Sequence, residues 1–369
     1  MPIKVWDYLT EYEQEKKEID AAIKKVLRSG WLILGSNVKE FEEAFAAYCG
    51  VHYGVGVNSG TDALFLGLKA LGIGPGDEVI TVSYTAVPTV SAIVSTGAAP
   101  RFVDINPHTY LMDTSLVEKA ITKRTKCILP VHLYGQCVNM PEVTRIAKKH
   151  GLKVFEDCAQ SHGALCHGKM AGSMGHAGAF SFYPTKILGG FGDGGMVLTN
   201  NRQLYNKLLR LRFYGMEKRY YAIEHGYNSR LDELHAAVLL SKLKHLNRYI
   251  KKRINLAKSY DVYLKRTGLI LPRVAPGNRH AYYLYVCRHR KRDHIIAELK
   301  KRDILVNISY PWPIHTMKGY RYLGYRTGDL PHTEKAAKEI FSLPMYPSLN
   351  ATQQRSVVEA LKNILPGLA

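Results

Sequence analysis

A chain of 369 residues is long enough for one large hydrophobic core and a smaller second one. Its 46% hydrophobic and 22% charged residues lie near globular averages, which excludes a largely disordered polymer. Lys+Arg 51 against Asp+Glu 31 leaves a net charge of +20, a balance that favours polyanionic partners such as nucleic acid, anionic membrane or phosphorylated metabolites.

The opening MPIKVWDYLTEYEQEKKEID carries acids and no apolar stretch, so a secretory leader is not expected there. The longest uncharged run, residues 79–100, is interrupted by Pro88 and by seven serines and threonines, so no membrane span is expected. From residue 54 the pattern alternates β-rich runs with helical stretches. GVGVNSG ends in a turn, and TDALFLGLKALGI spaces Leu64, Leu68 and Leu71 as a helix does. GPGDEVITVSYT reads as turn then strand, AVPTVSAIVSTG as a helix with an early proline, and APRFVDI as a strand. SLVEKAITKR predicts a helix, TKCILPVHLYG a strand apolar on both faces, and MPEVTRIAKKHG a helix bounded by Pro141 and Gly151. LKVFEDCAQ is a second doubly apolar strand, and AGAFSFYPTK and GGMVLTN read as two more. Strands alternating with helices predict a mostly parallel mixed sheet flanked by helices.

RLDELHAAVLLSKLKHLNRYIKKRINLAKSYDVYLKR reads as one long helical region leading to a smaller α+β domain. That domain shows strand-like HAYYLYVCRH, helical IIAELKKRD, strand-like ILVNISYP and a final helix QQRSVVEALKNI. The expected division is a large domain over 1–240 and a small one over 241–369, with the first ~20 residues packing on the small domain. Six cysteines at 49, 127, 137, 158, 166 and 287 form no CxxC pair, so no zinc ribbon or disulfide framework is expected, and no metal site. A reduced, cytoplasmic setting follows. The basic excess concentrates between Arg202 and Lys265, with 15 Lys/Arg against 5 Asp/Glu. No aromatic-interleaved or helix-turn-helix pattern accompanies it, so neither nucleic-acid nor membrane binding is expected.

Three segments have chemical potential. VNSGTDAL puts small Ser59, Gly60 and Thr61 at a strand-to-helix turn, where free N–H groups bind phosphate; plain helix capping explains the same residues. VFEDCAQSHGA sets Asp157 at the carboxyl end of an apolar strand, where a buried acid needs a positive partner, either a protonated cofactor nitrogen or an arginine. SFYPTKILGGFGDGG isolates Lys186 between a proline turn and a glycine-rich loop, the setting of a Schiff-base lysine or of a surface turn.

In this order, and together with VDINPHTYLMD, ILPVHLYGQ and GYNSRLDELHAA, these segments resemble the nucleotide-sugar aminotransferases of the DegT/DnrJ/StrS family, which are fold-type I pyridoxal phosphate (PLP) enzymes. The likeness runs almost the whole length. It implies that Lys186 carries PLP as a Schiff base and later moves the proton between C4′ and the substrate carbon. By the same resemblance Asp157 pairs with the pyridinium nitrogen, Gln160 meets the ring hydroxyl, and Tyr84 stacks on the ring. Gly60, Thr61 and Ser181 match phosphate-binding positions. Asn228 matches an asparagine that reaches the neighbouring subunit's cofactor, which implies a homodimer. Tyr183 and Tyr310 lie in segments that approach the sugar nucleotide in the family, His315 matches a family histidine, and His162 and Arg219 fall where a substrate or diphosphate contact and a structural role are equally compatible.

The implied reaction moves an amino group from L-glutamate to a keto-sugar nucleotide, the cofactor cycling through pyridoxamine phosphate. SGTDAL with VHLYGQ resembles the three-position enzymes, so a dTDP-3-keto-6-deoxyhexose is the expected acceptor and a dTDP-3-amino-3,6-dideoxyhexose the product. A 4-keto or UDP-linked sugar is the alternative. A sugar dehydratase of the same family would carry histidine in place of Lys186. A non-catalytic, basic nucleic-acid-binding regulator would have no need for Lys186, Asp157 and Gln160 together.

Overall fold

A computed structural model describes residues 2–368. Two helices, α1 (Tyr8–Ser29) and α2 (Ser36–Cys49), precede a strand–helix alternation. It runs β1 (Tyr53–Val57), α3 (Gly60–Ala70), β2 (Glu78–Val82), α4 (Val87–Ser95), β3 (Ala99–Val103), the single turn α5 (Val117–Ala120), β4 (Thr125–Ile128), α6 (Met140–His150) and β5 (Lys153–Asp157). Two short strands, β6 (Leu165–Cys166) and β7 (Lys169–Met170), lead to β8 (Ala177–Ser181) and β9 (Gly195–Thr199). Next come α7 (Arg202–Leu211), the hairpin β10 (Met216–Lys218) with β11 (Tyr221–Ala222), α8 (Glu233–Leu243) and α9 (Leu246–Leu264). The remainder holds β12 (Asn278–Arg279), β13 (Tyr285–Arg288), α10 (Arg292–Lys300), α11 (Pro331–Glu339), β14 (Ile340–Leu343) and α12 (Ala351–Ile364).

The main sheet has seven strands in the order β1-β9-β8-β5-β4-β2-β3. Six run the same way, and β9 runs antiparallel between β1 and β8. Strands β2, β8 and β9 are buried at every residue, as expected of a sheet covered on both faces. The mostly parallel mixed sheet flanked by helices agrees with the expectation from sequence. Helix α6 shows how local chemistry sets the ends: Asn139 caps Glu142 N at 3.4 Å, Pro141 sits in the first turn, Lys148, Lys149 and His150 lie in the last, and Gly151 closes it at φ 65°.

Two apolar clusters meet along α9. Tyr249 and Ile250 belong to the large cluster under the sheet, whereas Ala257, Tyr260 and Leu264 join a second cluster with Tyr285, Phe341, Val357 and Leu361. Ile3 packs on the second cluster and bridges Ile304, whereas α1 packs on α8 and sets Tyr8 and Tyr12 against Phe191.

Several sequence expectations differ from the structure. The long helical region after 228 is two helices broken at Lys244–His245, where α8 leaves its packing on α1 and α2 and α9 turns toward the second core. ILVNISYP forms isolated bridges at Ile304 and Asn307 instead of a strand. Its backbone turns left-handed at Asp303 (φ 56°) and Tyr310 (φ 72°), and Pro311 and Pro313 lack the donors a ladder needs. The helix expected in SLVEKAITKR is one turn long. HAYYLYVCRH becomes a strand at Tyr285 after a left-handed Tyr282 (φ 52°).

Candidate active site

Because six strands are co-directional, the carboxyl ends of β1, β2, β4, β5 and β8 open on one edge of the sheet, where such folds bind ligands. The α3 turn at Gly60, Asp157 at the end of β5 and Lys186 after β8 all lie at that edge.

At the end of β1, Ser59 caps α3 by accepting from Asp62 N at 3.0 Å. The next two amides, Gly60 and Thr61, belong to the first turn, whose N–H groups have no carbonyl four residues back. The helix starts in direct contact with the end of β8. A Cβ on Gly60 would stand 2.5 Å from Ser181 Cβ, and one on Gly195 would stand 2.2 Å from the Ser59 carbonyl oxygen. Glycine at both positions lets helix, strand and loop converge on a cradle of N–H donors with the positive dipole end behind it.

Asp157 ends β5 at 4% exposure. One carboxylate oxygen accepts from Thr89 Oγ1 at 2.8 Å and the other from Ala159 N at 3.1 Å. Burial raises its pKa above the ordinary value, against those two hydrogen bonds and the charge of Lys186. No ion pair to Asp157 occurs among the described residues. A buried acid with two neutral donors and no cation of its own suits a ligand that brings a positive N–H.

Lys186 follows β8 on a turn closed by its amide donating to the Tyr183 carbonyl at 2.9 Å. Its Nζ stands 4.7 Å from the centre of the Tyr283 ring, half-buried. Gln160, 4% exposed, accepts from Tyr134 N at 2.9 Å through Oε1 and donates from Nε2 to the Tyr310 hydroxyl at 2.6 Å. Tyr84, fully buried at the end of β2, lies within 6.5 Å centre-to-centre of the Tyr110, Tyr134 and Tyr310 rings, and its hydroxyl is 3.2 Å from that of Tyr134. Donor amides, an unpaired buried acid, a carboxamide, an aromatic wall and one amine thus fit a flat cofactor carrying a phosphate and a basic ring nitrogen.

The other expected residues fall on several surfaces. Tyr183 is half exposed beside Lys186. Asn228 is exposed, while its neighbour Ser229 turns inward and bonds Asn58 just before the α3 cradle. Arg219 sits at the tip of the β10–β11 hairpin, stacked on Tyr220, itself 83% exposed. His315 is almost fully buried: Nδ1 lies 2.7 Å from Ser83 Oγ and Nε2 3.1 Å from Glu334, so it ties β2 to α11. His162 is fully buried among Phe45, Phe180 and Phe182, and desolvation pushes its pKa down to about 3, the behaviour of a neutral packing imidazole.

A buried trio, His132, Glu156 and Cys158, clusters in the geometry of a metal site. Glu156 already accepts from His132 Nε2 at 2.9 Å, Gly172 N, Met174 N and Gly175 N, and His132 Nδ1 accepts from Val138 N. These lone pairs are spent on holding the loop after β5.

Sequence reading missed Thr89, Tyr134 and Tyr283, which touch Asp157, Gln160 and Lys186. Thr89 lies one helical turn past Thr85 with no distinguishing neighbour. Nothing local marks the other two.

A mostly parallel seven-stranded sheet with a lysine after β8 and an acid after β5 defines the class: a PLP-dependent aminotransferase of fold type I. The model of the DegT/DnrJ/EryC1/StrS aminotransferase family matches residues 13–362, and the chain belongs to that family. It is a nucleotide-sugar aminotransferase whose cofactor cycles between PLP and pyridoxamine phosphate. A dTDP-3-amino-3,4,6-trideoxy-alpha-D-glucose transaminase of Micromonospora megalomicea subsp. nigra is 52% identical over 374 positions, covering 100% of both chains. A pleiotropic regulatory protein of Geobacillus stearothermophilus is 44% identical over 98% of each. The crystal structure of S. venezuelae DesV in complex with a ketimine intermediate superposes at TM-score 0.96, with 42% identity over 98% of both chains. The ntda protein of Bacillus subtilis, with pyridoxamine phosphate bound, is 32% identical at TM-score 0.90 over 96% of this chain and 82% of that one.

Proposed function

We propose that the enzyme transfers the amino group of L-glutamate to a dTDP-linked 3-keto-6-deoxyhexose and releases a dTDP-3-amino-3,6-dideoxyhexose. The observation that carries this is the 52% identity, over both full lengths, to a transaminase whose name specifies a 3-amino, dTDP-linked deoxyglucose. The surplus of 20 positive charges favours a substrate bearing a diphosphate.

When bound, PLP supplies an electron sink for charge developing on the carbon that loses or gains a proton. The chain's own residues do the rest. Gly60 and Thr61 amides and Ser181 hold the phosphate at the α3 terminus. Asp157 keeps the proton on the ring nitrogen, its two neutral donors holding it in place. Gln160 orients the ring through its hydroxyl, and Tyr84 covers one face. Lys186 Nζ anchors the cofactor and moves the proton at the reacting carbon. Tyr183, Tyr310, His315 and Arg219 are assigned to the sugar-nucleotide side, Tyr310 from a half-buried position and His315 from a buried one. Asn228, exposed beside a serine that braces Asn58, completes the phosphate cradle of a second subunit in a homodimer.

An absorption spectrum with PLP, before and after L-glutamate, tests the donor half. Conversion of the imine band to the pyridoxamine band is the expected result; a band indifferent to glutamate refutes that donor. The aminated enzyme is then offered dTDP-3-keto-, dTDP-4-keto- and UDP-3-keto-sugars, with products followed by mass spectrometry. Preferential turnover of either competitor overturns the acceptor assignment.

A further inference from the structure

We infer that Tyr310 is a positioning residue. Its hydroxyl and the Tyr134 amide together lock the Gln160 carboxamide so that Oε1 accepts from Tyr134 N and one Nε2 hydrogen stays available to the cofactor's ring hydroxyl. The inference deepens the proposed role of Gln160 and rests on it.

The donor logic is unambiguous at these distances. A backbone N–H only donates, so the Gln160 atom 2.9 Å from Tyr134 N is the oxygen. The amide nitrogen is then the atom 2.6 Å from the Tyr310 hydroxyl, which accepts one of its two hydrogens. Gln160 is 4% exposed, so little water competes for the other. Without Tyr310 the carboxamide is held at one end and is free to swing about it.

The two clamping residues are themselves over-determined. Tyr134 and Tyr310 both occupy the left-handed region, at φ 60° and 72°, where a Cβ crowds the following carbonyl. Such backbone persists where the surroundings enforce it, and it concentrates at functional sites. Here the two rings stack at 6.4 Å and 12°, and the Tyr134 hydroxyl lies 3.2 Å from both the Tyr84 hydroxyl and the Ser309 carbonyl oxygen. Ser309 is held in turn by Asn307 Nδ2 at 3.3 Å, and Asn307 bridges Ser342 of β14. The setting of Gln160, on the loop after β5, therefore depends on a segment 150 positions away that is anchored to the C-terminal sheet.

The test uses holoenzyme of the wild type, Tyr310→Phe, Gln160→Ala and the double variant. Two properties are read in each: the cofactor dissociation constant and the pH midpoint of the cofactor's absorption band. Tyr310→Phe removes one hydroxyl and keeps the ring stack. It is expected to weaken cofactor retention about 5-fold, the worth of one neutral hydrogen bond, and to displace the pH midpoint. In the Gln160→Ala background the same substitution is expected to add nothing, because the group it positions is gone. An equal effect of Tyr310→Phe in both backgrounds would mean packing alone and overturn the inference. So would a silent Tyr310→Phe beside an effective Gln160→Ala. A Gln160→Ala enzyme identical to wild type in both readouts would refute the Gln160 role itself.

Discussion

Gly60→Ala is the perturbation whose consequence the geometry specifies most fully. The added carbon would stand 2.5 Å from Ser181 Cβ, 2.9 Å from Oγ and 3.1 Å from Cα. Carbon pairs rest at about 3.5–4.0 Å, so the overlap amounts to roughly 1 Å. Rotating Ser181 moves only Oγ, since Cα and Cβ belong to β8. The start of α3 must therefore separate from the end of β8. Overpacking of this kind costs about 1–3 kcal/mol, and alanine's better helix propensity returns about 1 at most. In a chain this long that is a shift of only a few degrees in Tm. The cradle is far more sensitive, because a displacement of about 1 Å at a positioned group can cost on the order of 10²-fold. The assay is titration of apoenzyme with PLP, read by absorbance. Gly74→Ala serves as the control, since its new carbon would meet nothing closer than 3.8 Å. The expected result is a PLP affinity lower by about 10-fold or more for Gly60→Ala and unchanged for Gly74→Ala. Wild-type affinity in Gly60→Ala would refute the close-approach account of the cradle.

Three further predictions concern chemistry and pH. Lys186→Ala should show no turnover in a coupled transaminase assay, and normal turnover would remove the lysine from the mechanism. Asp157→Asn keeps an oxygen for Thr89 or Ala159 but loses the charge, so it should retain cofactor while transaminating about 10²–10³-fold more slowly; an unaffected rate would dissociate Asp157 from the ring nitrogen. His162 titrates at 6.5 in an open chain and at about 3 in the fold. Above pH 6.5 both states hold it neutral; as pH falls toward 3 the unfolded chain gains a proton the folded chain refuses, and stability is lost across that window. The fall in urea midpoint between pH 7 and pH 5 should be smaller in His162→Leu, and an identical fall would show that folding does not lower the His162 pKa.

The elements legible in sequence were those whose pattern follows from burial. β2, β5, β8 and β9 are buried on both faces over nearly their whole length, and α6 announces itself with Asn139, Pro141 and Gly151. Helix α1 gave no such signal: of its 22 residues only Ile19 and Val26 are buried, too few for an apolar stripe. The break between α8 and α9 was equally silent, since both helices carry ordinary helical spacing and only the choice of core separates them. His315 matched a substrate-side position in sequence, but its bonds to Ser83 and Glu334, which tie β2 to α11, show only in the fold.

By itself the sequence determined the identities and order of the reactive groups: small residues at the α3 turn, an acid ending a buried strand, and a lysine before a glycine-rich loop. Those follow from residue type and local spacing, which a linear chain carries in full. Tertiary structure alone decided who touches whom. Thr89 reaches Asp157 across 68 positions, Tyr310 reaches Gln160 across 150, and Gly60 meets Ser181 across the sheet edge. Such contacts arise because parallel strands bring every carboxyl end to one edge, and that convergence is a property of sheet order, which no short stretch of residues encodes.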